Sequence, residues 1–277
     1  MPPIDIDAVV LANDRLSGDY SVLTLGAPEV GARTEPGQFV MVKPRGSDGP
    51  LLRRPFSVFE VVRNEHGELT GISLLNKRAG PSTSRLYDLE IGDRVDCLGP
   101  LGRPFTAVAR PTEAWMVAGG VGLAPFATLA ETLASMHTKT TLFYGARSAS
   151  ELFYLDFFER LGVQLVLATE DGSRGVRARI TAPLEDALKT TEERRRKKEA
   201  AAVMIYACGP EAMLAAVADV AAKYHQPSQV SVERVMGCGL GGCYSCVVPV
   251  RHGDEHAHLV RSCINGPVFD GAELVWD

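Results

Sequence analysis

The chain has 277 residues, of which 45% are hydrophobic and 23% charged, with a formal net charge of −5. That length accommodates two or three domains with real cores, and the composition excludes a disordered or fibrous chain. No run reaches the roughly 20 apolar residues of a membrane span, and the negative balance argues against nonspecific binding to nucleic acid. The start, Met1 to Asp7, carries Asp5 and Asp7 and lacks the basic and apolar regions of a secretory signal, so a cytoplasmic, reducing setting is expected.

From Ile4 to about Leu98, short β segments alternate with turn residues. They cover Ile6 to Leu11, Tyr20 to Leu25, Gln38 to Val42, Ser57 to Val62, Leu69 to Leu75 and Arg94 to Leu98, separated by Ser17-Gly18-Asp19, Glu35-Pro36-Gly37 and Ile91-Gly92-Asp93. Such spacing predicts a small antiparallel β-barrel over residues 1–110. From Trp115 the pattern changes to strand (Met116 to Ala118), helix (Ala124 to Met136), strand (Thr140 to Tyr144), helix (Ser150 to Leu161), strand (Gln164 to Ala168), helix (Thr181 to Leu188), strand (Val203 to Ala207) and helix (Glu211 to Tyr224). Strands and helices in alternation predict a doubly wound parallel α/β nucleotide-binding domain over 111–226. The polar run Thr190 to Ala200, with Arg194 to Lys198, reads as a solvated loop or helix face, with docking of an acidic partner as the alternative. Residues 227–277, dense in Gly and Cys, form a third small unit of the size that a bound metal commonly stabilises.

Four of the six cysteines fall in that last unit. Cys238 and Cys243 are separated by four residues, Cys243 and Cys246 by two, and sixteen more precede Cys263. The pattern matches the plant-type C-x4-C-x2-C spacing with a distant fourth ligand that holds a [2Fe–2S] cluster. Gly237, Gly239, Gly241 and Gly242 permit the backbone angles that wrap a chain around such a group. A structural zinc site, making the chain a zinc-stabilised interaction module, is the alternative, although zinc more often takes two separated C-x2-C knuckles. A one-electron cluster cannot accept a hydride, so its use with a nicotinamide requires a two-to-one converter such as a flavin.

The candidate flavin element is Arg54-Pro55-Phe56-Ser57, in which a guanidinium can clamp a diphosphate, an aromatic can lie against a flat ring and a hydroxyl can reach the ring edge. Gly80-Pro81-Ser82-Thr83-Ser84 precedes a helix start, where hydroxyls and amides can hold the FAD pyrophosphate; an ordinary helix cap is the alternative. Gly119-Gly120-Val121-Gly122 links strand to helix and lets the backbone approach a phosphate. Cys208-Gly209-Pro210-Glu211-Ala212-Met213 repeats the same context later in the chain. Glu170-Asp171 ends another strand, could meet the adenosine ribose, and leans towards NADH over NADPH. Cys97 and the histidines at 252, 256 and 258 are read as structural or solvated.

Arg54-Pro55-Phe56-Ser57 resembles the R-x-Y-[ST] element of ferredoxin-reductase-like flavoproteins, with Phe56 in the tyrosine's place, so stacking is retained and the phenol's hydrogen bond is lost. Cys208-Gly209-Pro210 resembles the nicotinamide-side loop of that family, which implies a place for Cys208 beside hydride transfer. The run Glu233 to Pro249 with Cys263-Ile264-Asn265-Gly266-Pro267 is similar to the electron-transfer subunits of the NAD-dependent class of dihydroorotate dehydrogenase. The resemblance covers nearly the whole chain. It implies FAD, a [2Fe–2S] cluster and NAD(H) as cofactors, and a separate FMN-containing (β/α)8 catalytic subunit, joined as a heterotetramer, that oxidises dihydroorotate in pyrimidine biosynthesis. Electrons would pass from that FMN through the cluster and FAD to NAD+. A related reductase subunit serving a hydrogenase or a ferredoxin:NADPH oxidoreductase is the alternative.

Overall fold

The computed structural model describes residues 2–46, 51–197, 200–251, 253 and 256–276. Its contacts group the chain into two compact units. The first comprises Met1–Pro104, Arg234–Val247 and Arg261–Pro267; the second comprises Phe105–Glu233, Val248–Val260 and Val268–Asp277. The glycine- and cysteine-rich segment, set apart in sequence by its composition, is thus divided by its contacts between the two.

The first unit contains β1 (Ile4–Arg15), β2 (Tyr20–Gly26), α1 (Pro28–Gly31), β3 (Phe39–Pro44), β4 (Arg54–Ser57), β5 (Glu60–Arg63), β6 (Leu69–Lys77), α2 (Pro81–Asp88) and β7 (Arg94–Leu101). Its strands form one antiparallel sheet in the order β4-β3-β7-β1-β2-β6-β5. Alternation of side chains sends Val10, Leu23, Leu25, Val40, Val42, Ile72, Leu74 and Val95 into a shared interior. The single strand expected over Ser57 to Val62 is in fact two, and the two are the opposite edges of the sheet. Val58 and Phe59 are consecutive and both buried, which one regular strand cannot achieve across a half-solvated sheet. They form a corner: Val58 N–H donates to Gln38 O at 3.0 Å and Phe59 N–H to Ser73 O at 2.9 Å, so two residues tie both edges and close the barrel. Pro55, which has no N–H to give a ladder, fits its place in an edge strand.

The second unit contains β8 (Glu113–Gly119), α3 (Phe126–Ser135), β9 (Thr140–Ala146), α4 (Leu155–Arg160), β10 (Gln164–Thr169), β11 (Val176–Arg177), α5 (Thr181–Arg196), β12 (Val203–Cys208), α6 (Glu211–Lys223) and β13 (Ser228–Ser231). Past these come β14 (Val247–Val250), β15 (His258–Arg261), α7 (Ser262–Asn265) and β16 (Val268–Asp270). The sheet runs β11-β10-β9-β8-β12-β13-β16, parallel except for the last edge strand. Trp115, Val117, Phe143, Leu184, Ile205, Leu214 and Val230 are among its buried core. The helix expected to stop at Leu188 continues to Arg196, because Leu184 and Leu188 anchor it and an Arg196–Glu192 ion pair of 2.6 Å, one turn apart, supports its solvated end. The polar run is therefore helical as far as Arg196; Lys198 and His252 lie outside the described residues.

Strand order locates a functional edge. From β8 the chain winds through β9 and β10 in one direction, returns, and winds through β12 and β13 in the other. The order reverses between β8 and β12, and in open α/β sheets a crevice for ligands forms beyond the carboxyl ends of the strands at that reversal.

Candidate functional site

At this reversal the carboxyl end of β8 carries Gly119, Gly120 and Gly122, and that of β12 carries Cys208, Gly209 and Pro210. Cys208 lies in register with Ala118 across the parallel pair, so the two loops leave the sheet side by side. A Cβ at Gly122 would stand 2.2 Å from Cys208 O, and one at Gly119 would stand 2.7 Å from Met213 Sδ and 2.9 Å from Pro210 Cδ. Gly209 has φ of +154° and leaves no room for a Cβ beside Met213 Cε, 2.6 Å away. These glycines therefore bring one loop's backbone against the other. Gly120, by contrast, has φ of +55° and open space where its Cβ would be. Burial pushes the Cys208 thiol up to about 12, opposed by a hydrogen bond with the Ser231 hydroxyl and reinforced by the Glu233 charge. Cys208 thus stays a neutral thiol at physiological pH and can act by contact and not as a thiolate base.

Glu170 and Asp171 follow β10, separated from β8 by β9, so they belong to a neighbouring part of the same sheet edge. Asp171 Oδ1 accepts from the Ser173 N–H at 2.9 Å and the Ser173 hydroxyl at 2.6 Å. Those bonds hold its carboxyl below the usual range, so a fixed anion is presented to solvent at this turn.

In the first unit, Arg54 to Ser57 form β4 and pair with Val42 to Phe39 of β3. The pairing puts Arg54 and Phe56 on the face of Val40 and Val42, and Pro55 and Ser57 on the face of Phe39 and Met41. Phe56 packs partly against the barrel interior. The four residues thus divide between two faces, as the strand period of two requires, and only part of the Phe56 ring is open. The neighbouring arginines differ in their commitments. Arg53 is paired with Asp5 at 2.7 Å, whereas Arg54, among the described residues, reaches only the Arg53 carbonyl, at 3.3 Å. Arg54 is the guanidinium with its fork open to a diphosphate.

Gly80 is the N-cap of α2, which packs on β3 and β6, while β4 pairs with β3 and also lies against β6. The Thr83 hydroxyl accepts from Ala79 N–H at 2.8 Å and Gly80 N–H at 3.0 Å and donates to Gly80 O at 3.0 Å. It is engaged in shaping its own turn, which leaves Ser82, Ser84 and the first-turn amides as anion donors. Asn76, absent from the sequence reading, bonds Thr83 O at 3.1 Å through Nδ2 and has a buried Oδ1 with no partner among the described residues. Its signal was an Asn inside an otherwise apolar strand. The open Arg54 fork and this turn fit a bound diphosphate such as that of FAD.

The four clustered cysteines all lie in segments of the first unit, where they form two pairs. Cys246 and Cys263 are buried with Met236 against Phe39, Met41, Leu98 and Leu101 of β3 and β7. Their Sγ atoms are 3.3 Å apart. Cys243 is exposed and Cys238 half-buried, and hydrogen bonds from Ser245, followed by those of Cys238, pull the Cys243 thiol down to about 6. Burial, together with its contact with Cys246, pushes the Cys263 thiol up to about 12. Leu240 N–H points at Cys238 Sγ from 3.4 Å. Gly239 has φ of +72°, and a Cβ there would stand 2.6 Å from Met41 Cγ, which seats the loop on the barrel strand. Ser262, fully buried beside Cys263, has a hydroxyl with no partner among the described residues. Among the described residues no three of these side chains stand together at metal-holding distance. What fits a cluster ligand set is the two thiol pairs, Cys246 with Cys263 and Cys243 with Cys238, the amides turned towards sulfur and a buried polar atom without a protein partner. Two residues that spacing could not reveal brace the loop: the Arg261 guanidinium bonds Gly241 O at 2.7 Å and lies 4.7 Å from the Tyr244 ring centroid.

Comparison with known proteins adds the family. Residues 233–275 match the model of the iron–sulfur cluster binding domain of dihydroorotate dehydrogenase B, and residues 116–219 match an oxidoreductase NAD-binding domain. The dihydroorotate dehydrogenase B (NAD(+)) electron transfer subunit of Desulforamulus reducens is 35% identical over 274 residues, 98% of each chain. That of Geobacillus kaustophilus is 35% identical over 97% of this chain and 98% of its own. Among solved structures, an NADH-dependent reduced ferredoxin-NADP oxidoreductase superposes with a TM-score of 0.81 at 26% identity, covering 98% of this chain and 90% of its own. The cytochrome b5 reductase domain of Ulva prolifera nitrate reductase shares the fold at a TM-score of 0.60 and 18% identity, over 80% of this chain and 93% of its own. Identity at this level over nearly the full length of both chains means that the protein belongs to the family of dihydroorotate dehydrogenase B (NAD(+)) electron transfer subunits.

Proposed function

We propose that this chain is an electron-transfer subunit that links NAD(H) to an FMN-containing catalytic subunit oxidising dihydroorotate to orotate. The observation that carries the reading is the two neighbouring thiol pairs, Cys246 with Cys263 and Cys243 with Cys238, in a chain whose sheet reversal presents two nucleotide-type loops. When bound, FAD exchanges a hydride with the nicotinamide and single electrons with a [2Fe–2S] cluster, which is the two-to-one conversion the partner reaction requires.

This chain's residues supply binding and orientation. Arg54 clamps the FAD diphosphate, with Ser82, Ser84 and the first-turn amides of α2 as further donors. Phe56 and Ser57 lie on opposite faces of β4, so the flavin is held at the free edge of this strand, where the open part of Phe56 and the Ser57 hydroxyl are reached from either side, and Pro55 fixes that edge. Gly80 and Thr83 shape the anion turn. Gly119, Gly120 and Gly122 bring backbone to the dinucleotide phosphates, and Gly209 and Pro210 keep Cys208 beside the nicotinamide as a neutral thiol. Glu170 and the Asp171 anion repel a ribose 2′-phosphate and so favour NADH. The four cysteines ligate iron, two of them buried against the barrel and Cys243 exposed. Around them Val235, Leu240, Tyr244 and Ile264 expose apolar surface, which supports docking of the catalytic subunit on this side of the first unit, in a cytoplasmic heterotetramer. Among the described residues no helix is long and apolar enough to cross a membrane.

The test is the absorption spectrum of anaerobically purified protein before and after NADH, with iron, zinc and flavin quantified on the same sample. Flavin bands and broad iron–sulfur absorbance that both bleach with NADH are expected. Colourless protein with stoichiometric zinc would overturn the reading. Co-purification with an FMN barrel subunit that reduces NAD+ with dihydroorotate tests the partner; a different redox subunit in its place would refute it.

A further inference from the structure

We infer that Ser245 is a positioning residue that raises the reduction potential of the cluster by donating its hydroxyl proton to Cys243 Sγ, an inference that rests on the cluster reading above. Ser245 Oγ lies 3.1 Å from Cys243 Sγ and 3.0 Å from Gly237 N. Gly237 N–H donates to the hydroxyl oxygen, which orients a lone pair towards the backbone and directs the single hydroxyl proton elsewhere. A sulfur bonded to iron has lost its proton and can only accept. The chain Gly237 N–H to Ser245 O–H to Cys243 S therefore has one direction.

The loop is built to hold this contact. Side chains at i and i+2 of an extended chain share a face but start roughly 6.6 Å apart, and here Tyr244 between them takes the left-handed region with φ of +58°, a bend that lets them meet. That conformation is costly for a residue with a Cβ, and the Arg261 guanidinium lying 4.7 Å from the Tyr244 ring while bonding Gly241 O supports it. Gly237 completes the arrangement: its Cβ position is 3.2 Å from Cys243 Sγ, so a side chain there would crowd the sulfur.

Reduction delivers one electron to the cluster; no bond breaks, and the hydroxyl proton remains on Oγ throughout. Added negative charge spreads to the ligand sulfurs, so a donor at Cys243 stabilises the reduced state more than the oxidised one. Hydrogen bonds to charged groups are strong enough for about a tenfold change in the reduced-to-oxidised ratio at fixed potential. For a one-electron couple that is a midpoint shift of about 59 mV.

The experiment is a dye-mediated redox titration of the full-length, FAD-loaded protein followed by electron paramagnetic resonance, with iron and flavin measured on each sample. Ser245→Ala is expected to retain iron and to lower the midpoint by the tenfold equivalent, equally at pH 6.5 and 8.5 because no proton is exchanged. Ser245→Thr, which keeps the hydroxyl, should remain within about twofold of the parent ratio. An iron-loaded Ser245→Ala protein with an unchanged midpoint, a Ser245→Thr protein that behaves like Ser245→Ala, or a shift that grows with pH would each overturn the inference. Parent protein without iron would instead overturn the cluster reading, before any titration begins.

Discussion

Replacing Gly122 by alanine tests whether the two loops at the sheet reversal work as one site. The new Cβ would meet Cys208 O at 2.2 Å, Cys208 C at 2.4 Å and Gly209 N at 2.6 Å, all of them backbone atoms at the end of a core strand. No flexible side chain can move aside. Ordinary carbon contacts begin near 3.5 Å, so the loops must part by about 1 Å. Overpacking of this kind costs about 1–3 kcal/mol, which in a domain this size lowers the melting temperature by several degrees. A displacement of about 1 Å at a reacting site is worth about 100-fold in rate. The assay is NADH-dependent reduction of ferricyanide by FAD-loaded Gly122→Ala protein, with kcat and KM resolved and melting measured in parallel. Gly162→Ala is the control, since Gly162 has a positive φ of +75° but open space where its Cβ would be, and lies away from both loops. It should lose stability from backbone strain while keeping kcat/KM. Equal kcat/KM for parent and Gly122→Ala, within about threefold, would refute the reasoning.

Three further outcomes follow from the same geometry. Arg54→Ala should weaken FAD binding by about 10- to 100-fold, read by flavin fluorescence, whereas Arg53→Ala, which removes the Asp5 ion pair, should change it little; the reverse order would refute the assignment. Asp171→Ala should narrow the preference for NADH over NADPH by about tenfold in kcat/KM, and an unchanged ratio would count against the ribose role. Burial pushes the Cys97 thiol up to about 12, so the unfolded chain ionises first as pH rises. Stability from this group is complete below the unfolded pKa near 8.5 and is lost as pH climbs from there towards about 12, at up to about 1.4 kcal/mol per pH unit. Urea unfolding between pH 8.5 and 10.5 should therefore show a shallower decline for Cys97→Ala than for the parent, and parallel lines would exclude Cys97 as the source.

The cysteine spacing was legible because ligation dictates sequence distances, and the structure brings the thiols into two pairs, Cys246 with Cys263 and Cys243 with Cys238. The βα alternation was legible because Trp115 to Tyr224 changes period at each element, as the parallel sheet bears out. The Val58–Phe59 corner was not, since two consecutive buried apolar residues look like the middle of a strand until their partners at Gln38 and Ser73 are known. Nor was the division of Arg54 to Ser57 between two faces, because which side of β4 meets the interior depends on its register with β3. Asn76, Ser245 and Arg261 act through bonds to backbone or to a loop neighbour, and residue type alone carries no mark of that.

The barrel strands β3 and β7 receive their covering from Met236, Cys246 and Cys263, which leave the ribosome more than a hundred residues after Leu101. The first unit is therefore completed last. Until residues 234–267 emerge, Phe39, Met41, Leu98 and Leu101 lack the segments that bury them, so cluster assembly and closure of this apolar surface are linked events in biosynthesis. A chain cut at residue 226 would retain every strand of the barrel and still expose that patch, making aggregation, and not a soluble flavin domain, the expected product of such a truncation.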